Sequence, residues 1–382
     1  MKVVVASDSF KGSLTSLQVA DAVRRGILRA SDDIPSGDQR LAGHRVVAVP
    51  VADGGEGTVD AILSQPGWRR VACTVTGPYG GPVTAAYAVD GRGNAFIEVA
   101  QAVGLAQRGN RRDVANATSA GVGQLMRHAI GQGCRHLTVG LGGSATSDGG
   151  LGMLIGLGAV CDSDSLLTVR HIDASPALSL LDGVDITVAA DVDNPFCGPR
   201  GAACVFAPQK GADADTVALL DGALRRLAAI YHDATGIDVT DLPGAGAAGG
   251  LGGALVAFGR ASMCSGIDTV LNAMHFDGLV NDAYVVITGE GRMDLQTLAG
   301  KAPLGVLRAV RRVNPSARVI AVAGSVDGRA LPRLLDAGFT AILPVTPPDM
   351  PLQQAMDSET ASLNISNAVA RYFMEPKKHL RC

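Results

Sequence analysis

Residues 136–152 read His-Leu-Thr-Val-Gly-Leu-Gly-Gly-Ser-Ala-Thr-Ser-Asp-Gly-Gly-Leu-Gly. The apolar run His136–Gly140 reads as a buried strand, and helical character begins near Gly150. Glycines between the two let the backbone approach a ligand closely, and bare N–H groups at a helix start attract anions. Ser144, Thr146, Ser147 and Asp148 sit among them. A strand, a glycine turn and a helix make an α/β unit, and this mixture suits a phosphorylated ligand with its metal ion better than a plain turn.

The same alternation extends outward in both directions. Toward the N-terminus the chain reads strand (2–6), loop, helix (16–30), strand (45–51), glycine loop and helix (55–64). From Val71 to Val99 the grammar changes to short β-rich runs (71–76, 83–89, 95–99). Gly77–Gly81 and Asp90–Asn94 separate them as hairpin signals. Helices are predicted at 118–131, 213–235 and 247–261, and strands at 136–140 and 184–190. The last hundred residues return to βαβαβ (283–288, 302–313, 318–323, 328–337, 339–345). A terminal helix over 352–373 and a charged, loose tail, 375–382, follow. The expected fold class is α/β in two domains. Both chain ends, 1–70 and 280–382, form a Rossmann-like three-layer domain, into which a mixed α/β domain, 71–279, is inserted. Ligands of open α/β sheets bind beyond the C-terminal ends of strands, so the active site is expected in the cleft between the domains.

Composition narrows the function. Hydrophobic residues make up 47% and aromatic ones only 4%, and the net charge is −3 without a basic run. This excludes a nucleic-acid partner, which needs a cationic face and stacking platforms. The uncharged, Gly- and Ala-rich stretch Gly244–Gly259 is shorter than the ~20 apolar residues of a membrane span and reads as a closely packed internal helix. Met1-Lys2 leads into Val3–Ala6 and then charge, which is no secretory signal. Seven cysteines without a Cys-x-x-Cys pair read as reduced thiols of a cytoplasmic protein. The histidines show no metal spacing, and neither Gly-x-Ser-x-Gly nor the Walker motif occurs.

Five clusters carry candidate chemistry. Ser7-Asp8-Ser9-Phe10-Lys11 follows the first strand, where a lysine holds a phosphate or carboxylate; a solvated loop with Ser13 or Ser16 as N-cap explains the same residues. Asp53-Gly-Gly-Glu56-Gly57 repeats the Asp-Gly-Gly-x-Gly form of Asp148–Gly152, and helix capping would explain either copy. The third is the opening loop itself. Gly140-Leu-Gly142-Gly143-Ser144-Ala145 is also a formal dinucleotide fingerprint with Asp162 at ribose distance, the pattern of a nicotinamide-dependent dehydrogenase. Fourth, Asp191-Val-Asp193-Asn-Pro offers two carboxylates for a divalent cation or a hydroxyl proton, with an Asx turn as the alternative. Fifth, Thr288-Gly-Glu290-Gly-Arg292-Met-Asp294 with Gly300-Lys301 reads as a glycine loop carrying acid, arginine and acid, a pattern for an anion plus a metal or for two ion pairs.

Read in order, these motifs resemble bacterial type I glycerate kinases. The resemblance rests on Asp8–Lys11, Pro50–Thr58, Gly142–Gly150, Phe206-Ala-Pro-Gln-Lys-Gly211, Pro243–Gly250 and Thr288–Asp294 through Gly300–Gly305. It runs from about residue 2 to 373. It implies an ATP-dependent transfer of phosphate to D-glycerate, a two-domain α/β fold, Mg²⁺, and 2-phosphoglycerate as the product, with a glycerate 3-kinase as the alternative. Val122 and Gln124 stand where the family often has Thr and Glu, and the region 162–175 looks short.

On that resemblance, Gly142, Gly143, Ser144 and Thr146 are assigned to phosphates. Mg²⁺ is assigned to Asp191, Asp193 and Glu290. Asp8, Ser9, Lys11, Asp53, Glu56, Arg292 and Lys301 are assigned to substrate or phosphate. Asp191 is the first choice for the hydroxyl proton and Asp148 the second, with Lys11 and Arg292 balancing charge. Monomer and homodimer both remain open.

Overall fold

The computed structural model describes residues 1–32 and 45–374; the predicted tail 375–382 lies outside the described residues. Contacts divide the chain into two compact units, one made of 1–53 with 267–382 and the other of 54–266.

The first unit is built on a five-stranded, all-parallel sheet. Its order is Ala341–Pro344, Arg318–Val326, Val285–Met293, Lys2–Val5, Arg45–Ala48. The two chain ends meet at its centre, where Val3 pairs with Val285 and Val5 with Ile287. Central parallel strands are buried on both faces, which is why they read as unbroken apolar runs. Val3, Val5, Val285, Ile287, Ile320 and Val322 pack against the helices Ser16–Asp32 and Ser358–Met374. Val4, Val286 and Ala321, which alternate with them, are buried as well. The helix Ala302–Val313 contacts the same strands.

Two expectations change here. The strand predicted over 283–288 runs on to Met293, so the expected glycine loop at 288–294 is mostly strand. The terminal helix is broken into Leu352–Ala355 and Ser358–Met374, because Asp357 turns its carboxylate onto the N–H and hydroxyl of Thr360 and starts a new helix.

The second unit holds a six-stranded mixed sheet, Ser262–Cys264, Asp185–Ala189, His136–Gly140, Asn94–Glu98, Pro82–Val89, Arg69–Thr76. The first four strands are parallel, and the last three form the antiparallel meander that the hairpin signals indicate. Asp90 fixes one turn by accepting from the N–H groups of Arg92 and Asn94. The helix Leu251–Gly259 is buried nearly all round. Gly252 and Gly253 let it touch the Gly244 carbonyl and the Phe196 ring.

The unit boundaries fall at 53/54 and 266/267 rather than 70/71 and 279/280. The helix Thr58–Leu63 packs on the strands Pro82–Val89 and Asn94–Glu98 of the second unit. At the other boundary Phe276–Val280 packs on Ala302–Val313, and Gly305 lies against Ile267, both within the first unit. No helix among the described residues is long and apolar enough to cross a membrane.

Candidate active site

In the first unit a cavity of ≈ 490 Å³ opens where the sheet's strands end. Its polar wall brings together most of the residues expected from three separate motifs: Asp8, Lys11, Asp53, Glu290, Arg292 and Lys301, with Ser9 beside them. Phe10, Met350, Leu352 and Met356 form an apolar wall.

Asp8 leaves the first strand with its N–H bonded to the Gly289 carbonyl (3.0 Å), and Oδ1 accepts the N–H of Ser9 (2.6 Å). It is buried, and burial together with the negative charge of Asp53 pushes its carboxyl up to about 7, against the pull of Lys11. Glu290 is the second buried acid. Its Oε1 accepts the Thr297 hydroxyl (2.7 Å) and its Oε2 lies 3.5 Å from the Lys301 ammonium. Burial raises its carboxyl although Lys301 opposes the shift.

The glycines of the 288–294 motif serve the strand pairing. A Cβ on Gly289 would stand 2.2 Å from the Val322 carbonyl, and one on Gly324 would stand 2.4 Å from the Gly291 carbonyl. Glu290 and Arg292 therefore ride on a rigid strand, in register with Ala323 and Ser325. Arg292 is mostly exposed, 3.6 Å from Asp294.

In the second unit Gly54 and Gly55 of the first Asp-Gly-Gly-x-Gly turn pack backbone against backbone on the start of the opening loop, Gly140–Gly142. A Cβ on Gly140 would lie 2.3 Å from the Gly54 carbonyl oxygen, and one on Gly142 would lie 2.4 Å from Gly55 Cα. Gly142 and Gly143 form the accessible edge of the opening loop, whereas Ser144, Thr146, Ser147 and Asp148 are buried. Asp148 accepts from Ser119 N–H (2.7 Å), Ser119 Oγ (2.8 Å), Gly150 N–H (3.2 Å) and Gly152 N–H (3.1 Å). It closes two helix starts with both oxygens engaged, an arrangement that favours a structural cap over the second-choice base. Burial still raises its carboxyl against those four bonds.

Other assignments also change. Asp193 is exposed in an ion pair with Arg200 (3.2 Å), an arrangement that favours the surface turn over a metal ligand. Asp191 is half-buried, and its Oδ1 accepts from Ser265 Oγ (3.0 Å) and Gly266 N–H (2.8 Å). Glu56 is exposed. Asp162, the ribose holder of the dehydrogenase reading, instead closes the 162–171 loop by accepting from the N–H groups of Arg170 and His171, which holds its carboxyl below the usual range. Gln124 latches its helix to Thr76 through two hydrogen bonds, and Val122 is core.

Two buried charges carry no role in the sequence reading. Glu98 ends a strand and accepts from Gly57 N–H (3.2 Å) and Val59 N–H (3.1 Å), capping the helix after the first glycine turn. Its signal was an acid at the end of the apolar run Ala95-Phe-Ile-Glu98-Val99. Lys210, within the quoted Phe206–Gly211 motif, is buried beneath the opening loop.

The whole-chain comparisons agree with this geometry. The glycerate kinase family model matches residues 3–374. The chain belongs to the glycerate kinase family. It is 40% identical to a glycerate kinase of Bacillus subtilis (strain 168) over 94% of this chain and 93% of that one. It is 39% identical to a glycerate 2-kinase of Escherichia coli (strain K12), over 97% and 98%. A solved structure described as a glycerate kinase 2 from Salmonella typhimurium LT2 superposes with a TM-score of 0.80 at 40% identity, covering 98% of this chain and 97% of that chain. Membership in this family makes the protein a kinase, and the mixed α/β architecture is the family's.

Proposed function

We propose that the protein transfers the γ-phosphoryl group of ATP to the 2-hydroxyl of D-glycerate, giving 2-phosphoglycerate. The observation that carries this reading is the full-length family match, with the E. coli glycerate 2-kinase among the relatives. The cavity of the first unit supports it. Lys11, Arg292 and Lys301 supply positive charge for a small carboxylate, and Asp8 supplies an acceptor for a hydroxyl proton. Phosphoryl transfer asks the protein for positioning and charge neutralisation more than for covalent chemistry.

We assign the proton to Asp8 rather than Asp191. Asp8 lines the cavity, whereas one oxygen of Asp191 holds Ser265 and Gly266. The accessible edge Gly142–Gly143 is the part of the opening loop offered to the nucleotide phosphates.

Mg²⁺ fits the chemistry of the cavity wall. Asp8, Asp53 and Glu290 are hard oxygen donors, and the charges of Asp53 and Glu290 both push the Asp8 carboxyl up, a repulsion that a divalent cation relieves. Among the described residues no group of three or more His, Cys, Asp or Glu forms a cage. Mg²⁺ in kinases is commonly held by one or two carboxylates plus substrate phosphates. Glu290 with Asp53 would supply those carboxylates, and the ion would neutralise phosphate charge. The six free cysteines among the described residues suit a reducing, cytoplasmic compartment.

The test is direct. Incubation with ATP, Mg²⁺ and D-glycerate, followed by enolase without mutase, yields phosphoenolpyruvate. A phosphorylated product inert to enolase would establish the 3-kinase, and no product would refute the reading.

A further inference from the structure

The opening loop is clamped at several points along its length. Gly143 O accepts from Leu105 N–H (2.9 Å), Ala145 N–H donates to Val103 O (2.8 Å), and Gly149 N–H donates to Gly249 O (2.9 Å). Tyr231 OH donates to Gly149 O (3.0 Å). The remaining N–H groups, those of Gly143, Ser144, Thr146, Ser147 and Asp148, have no protein acceptor among the described residues. The hydroxyls of Thr146 and Ser147, both buried, also lack a partner. Unpaired polar groups in a buried loop are rare, and an anion on the loop would give them acceptors.

Beneath this loop lies one buried lysine. Lys210 is 2% exposed, and its ammonium donates to Ser144 Oγ (3.0 Å) and to the Thr146 carbonyl (2.5 Å). The backbone that holds it is itself constrained. Pro208–Lys210 forms a single 3₁₀ turn, and Gly211 follows at φ +109, where a Cβ would stand 2.8 Å from Arg112 Cα. Burial pushes the ammonium down to about 7, and the buried Asp148 opposes the shift. Retaining so desolvated a lysine is costly for a loop that needs only packing.

We propose that Lys210 is a positioning residue for the nucleotide phosphates: it fixes Ser144 and Thr146 so that the unpaired N–H groups at the accessible edge, those of Gly143 and Ser144, present a ready-made oxyanion site. This rests on the assignment of the loop to the nucleotide. The ammonium acts through the loop, one bond holding the Ser144 hydroxyl and the other the Thr146 carbonyl, while its positive charge favours an anion on the loop's accessible side.

The experiment compares Lys210→Met, Ser144→Ala and Gly143→Ala with the wild-type enzyme by steady-state kinetics for ATP and D-glycerate. Calorimetric titration with a non-hydrolysable ATP analogue and thermal melts accompany the kinetics. Lys210→Met is expected to raise KM for ATP and weaken analogue binding at least tenfold, while KM for glycerate stays within about twofold. Ser144→Ala, which keeps the charge and removes one contact, moves the same quantities several-fold, and it stands in if Lys210→Met does not fold. Gly143→Ala strains a residue at φ +73 on the loop's edge and tests the loop assignment itself. If Gly143→Ala weakens ATP binding while Lys210→Met and Ser144→Ala do not, the role of Lys210 is refuted. If none of the three alters ATP binding in folded protein, the loop assignment fails with it. Equal loss toward both substrates would reduce Lys210 to general scaffolding.

Discussion

Glu98→Gln isolates the charge of a buried helix cap. The wild-type carboxylate is fully buried and accepts two backbone N–H groups at the start of Thr58–Leu63. Burial raises it from its ordinary 4.5 to about 7, and the two hydrogen bonds, which favour the charged form, do not overcome that desolvation. Between these values the folded chain keeps a proton that the unfolded chain has released. Stability from this group is therefore fully present below about pH 4.5 and lost as pH rises to about 7. At roughly 1.4 kcal/mol per pH unit, the gap amounts to about 3 kcal/mol. Glutamine keeps the shape and cannot ionise. The amide nitrogen cannot accept the second N–H, which sets a pH-independent offset, and from about pH 4.5 to about pH 8 the difference should move by about 3 kcal/mol in the variant's favour. Urea unfolding followed by Trp68 fluorescence reads this well, because the chain's single tryptophan lies in the same unit as Glu98. The quantity to plot is the difference between the two proteins, which cancels the other titrating groups. A flat difference, or a wild type that gains on the variant as pH rises, would show that the two N–H bonds outweigh burial and would sink the reasoning.

Asp8→Asn should lower kcat by about 10²-fold or more, the usual loss of a general base, while Asp191→Asn should cost roughly tenfold or less. A turnover assay showing the reverse order would return the proton to Asp191. Asp193→Ala removes an exposed ion pair and should change stability by less than about 0.5 kcal/mol, with the Mg²⁺ dependence of turnover unmoved; a shifted Mg²⁺ requirement would restore Asp193 as a ligand. Gly142→Ala drives a methyl into Gly55 Cα and should cost about 1–3 kcal/mol in thermal unfolding. Gly81→Ala, which meets nothing within 4 Å, serves as its control. Similar melting temperatures for the two would contradict the backbone-to-backbone packing.

The alternation of apolar runs and amphipathic stretches made both sheets legible, because buried parallel strands and the meander leave different periodicities. Short helices such as Val99–Val103, Ala202–Phe206 and Phe276–Val280 were not, since five residues complete little more than one turn and show no period. The 288–294 motif misled for a definite reason. Glycines signal loops locally, yet here they admit the Val322 and Gly291 carbonyls between adjacent strands, a contact between segments some thirty residues apart. The candidate acids and cations were visible as residue types after strands. What each one touches was not: Asp148 and Asp162 look alike as acids near glycine or turn residues, and only their N–H partners assign both to structure.

The twin Asp-Gly-Gly-x-Gly turns show how repetition in sequence becomes division of labour. In the second copy Asp148 caps its own helix and is buried; in the first, a residue forty positions away, Glu98, takes the N–H groups of Gly57 and Val59, and Asp53 lines the cavity beside Asp8. The glycines do a second task, since Gly140 and Gly142 seat the opening loop on Gly54 and Gly55 of the first turn with no side chain between them. Close packing of this kind holds a loop still before a ligand arrives, which is what a transfer reaction driven by positioning requires. The glycine content that first suggested ligand contact is thus mostly spent on rigidity, and only the short edge Gly142–Gly143 of the opening loop is left facing outward.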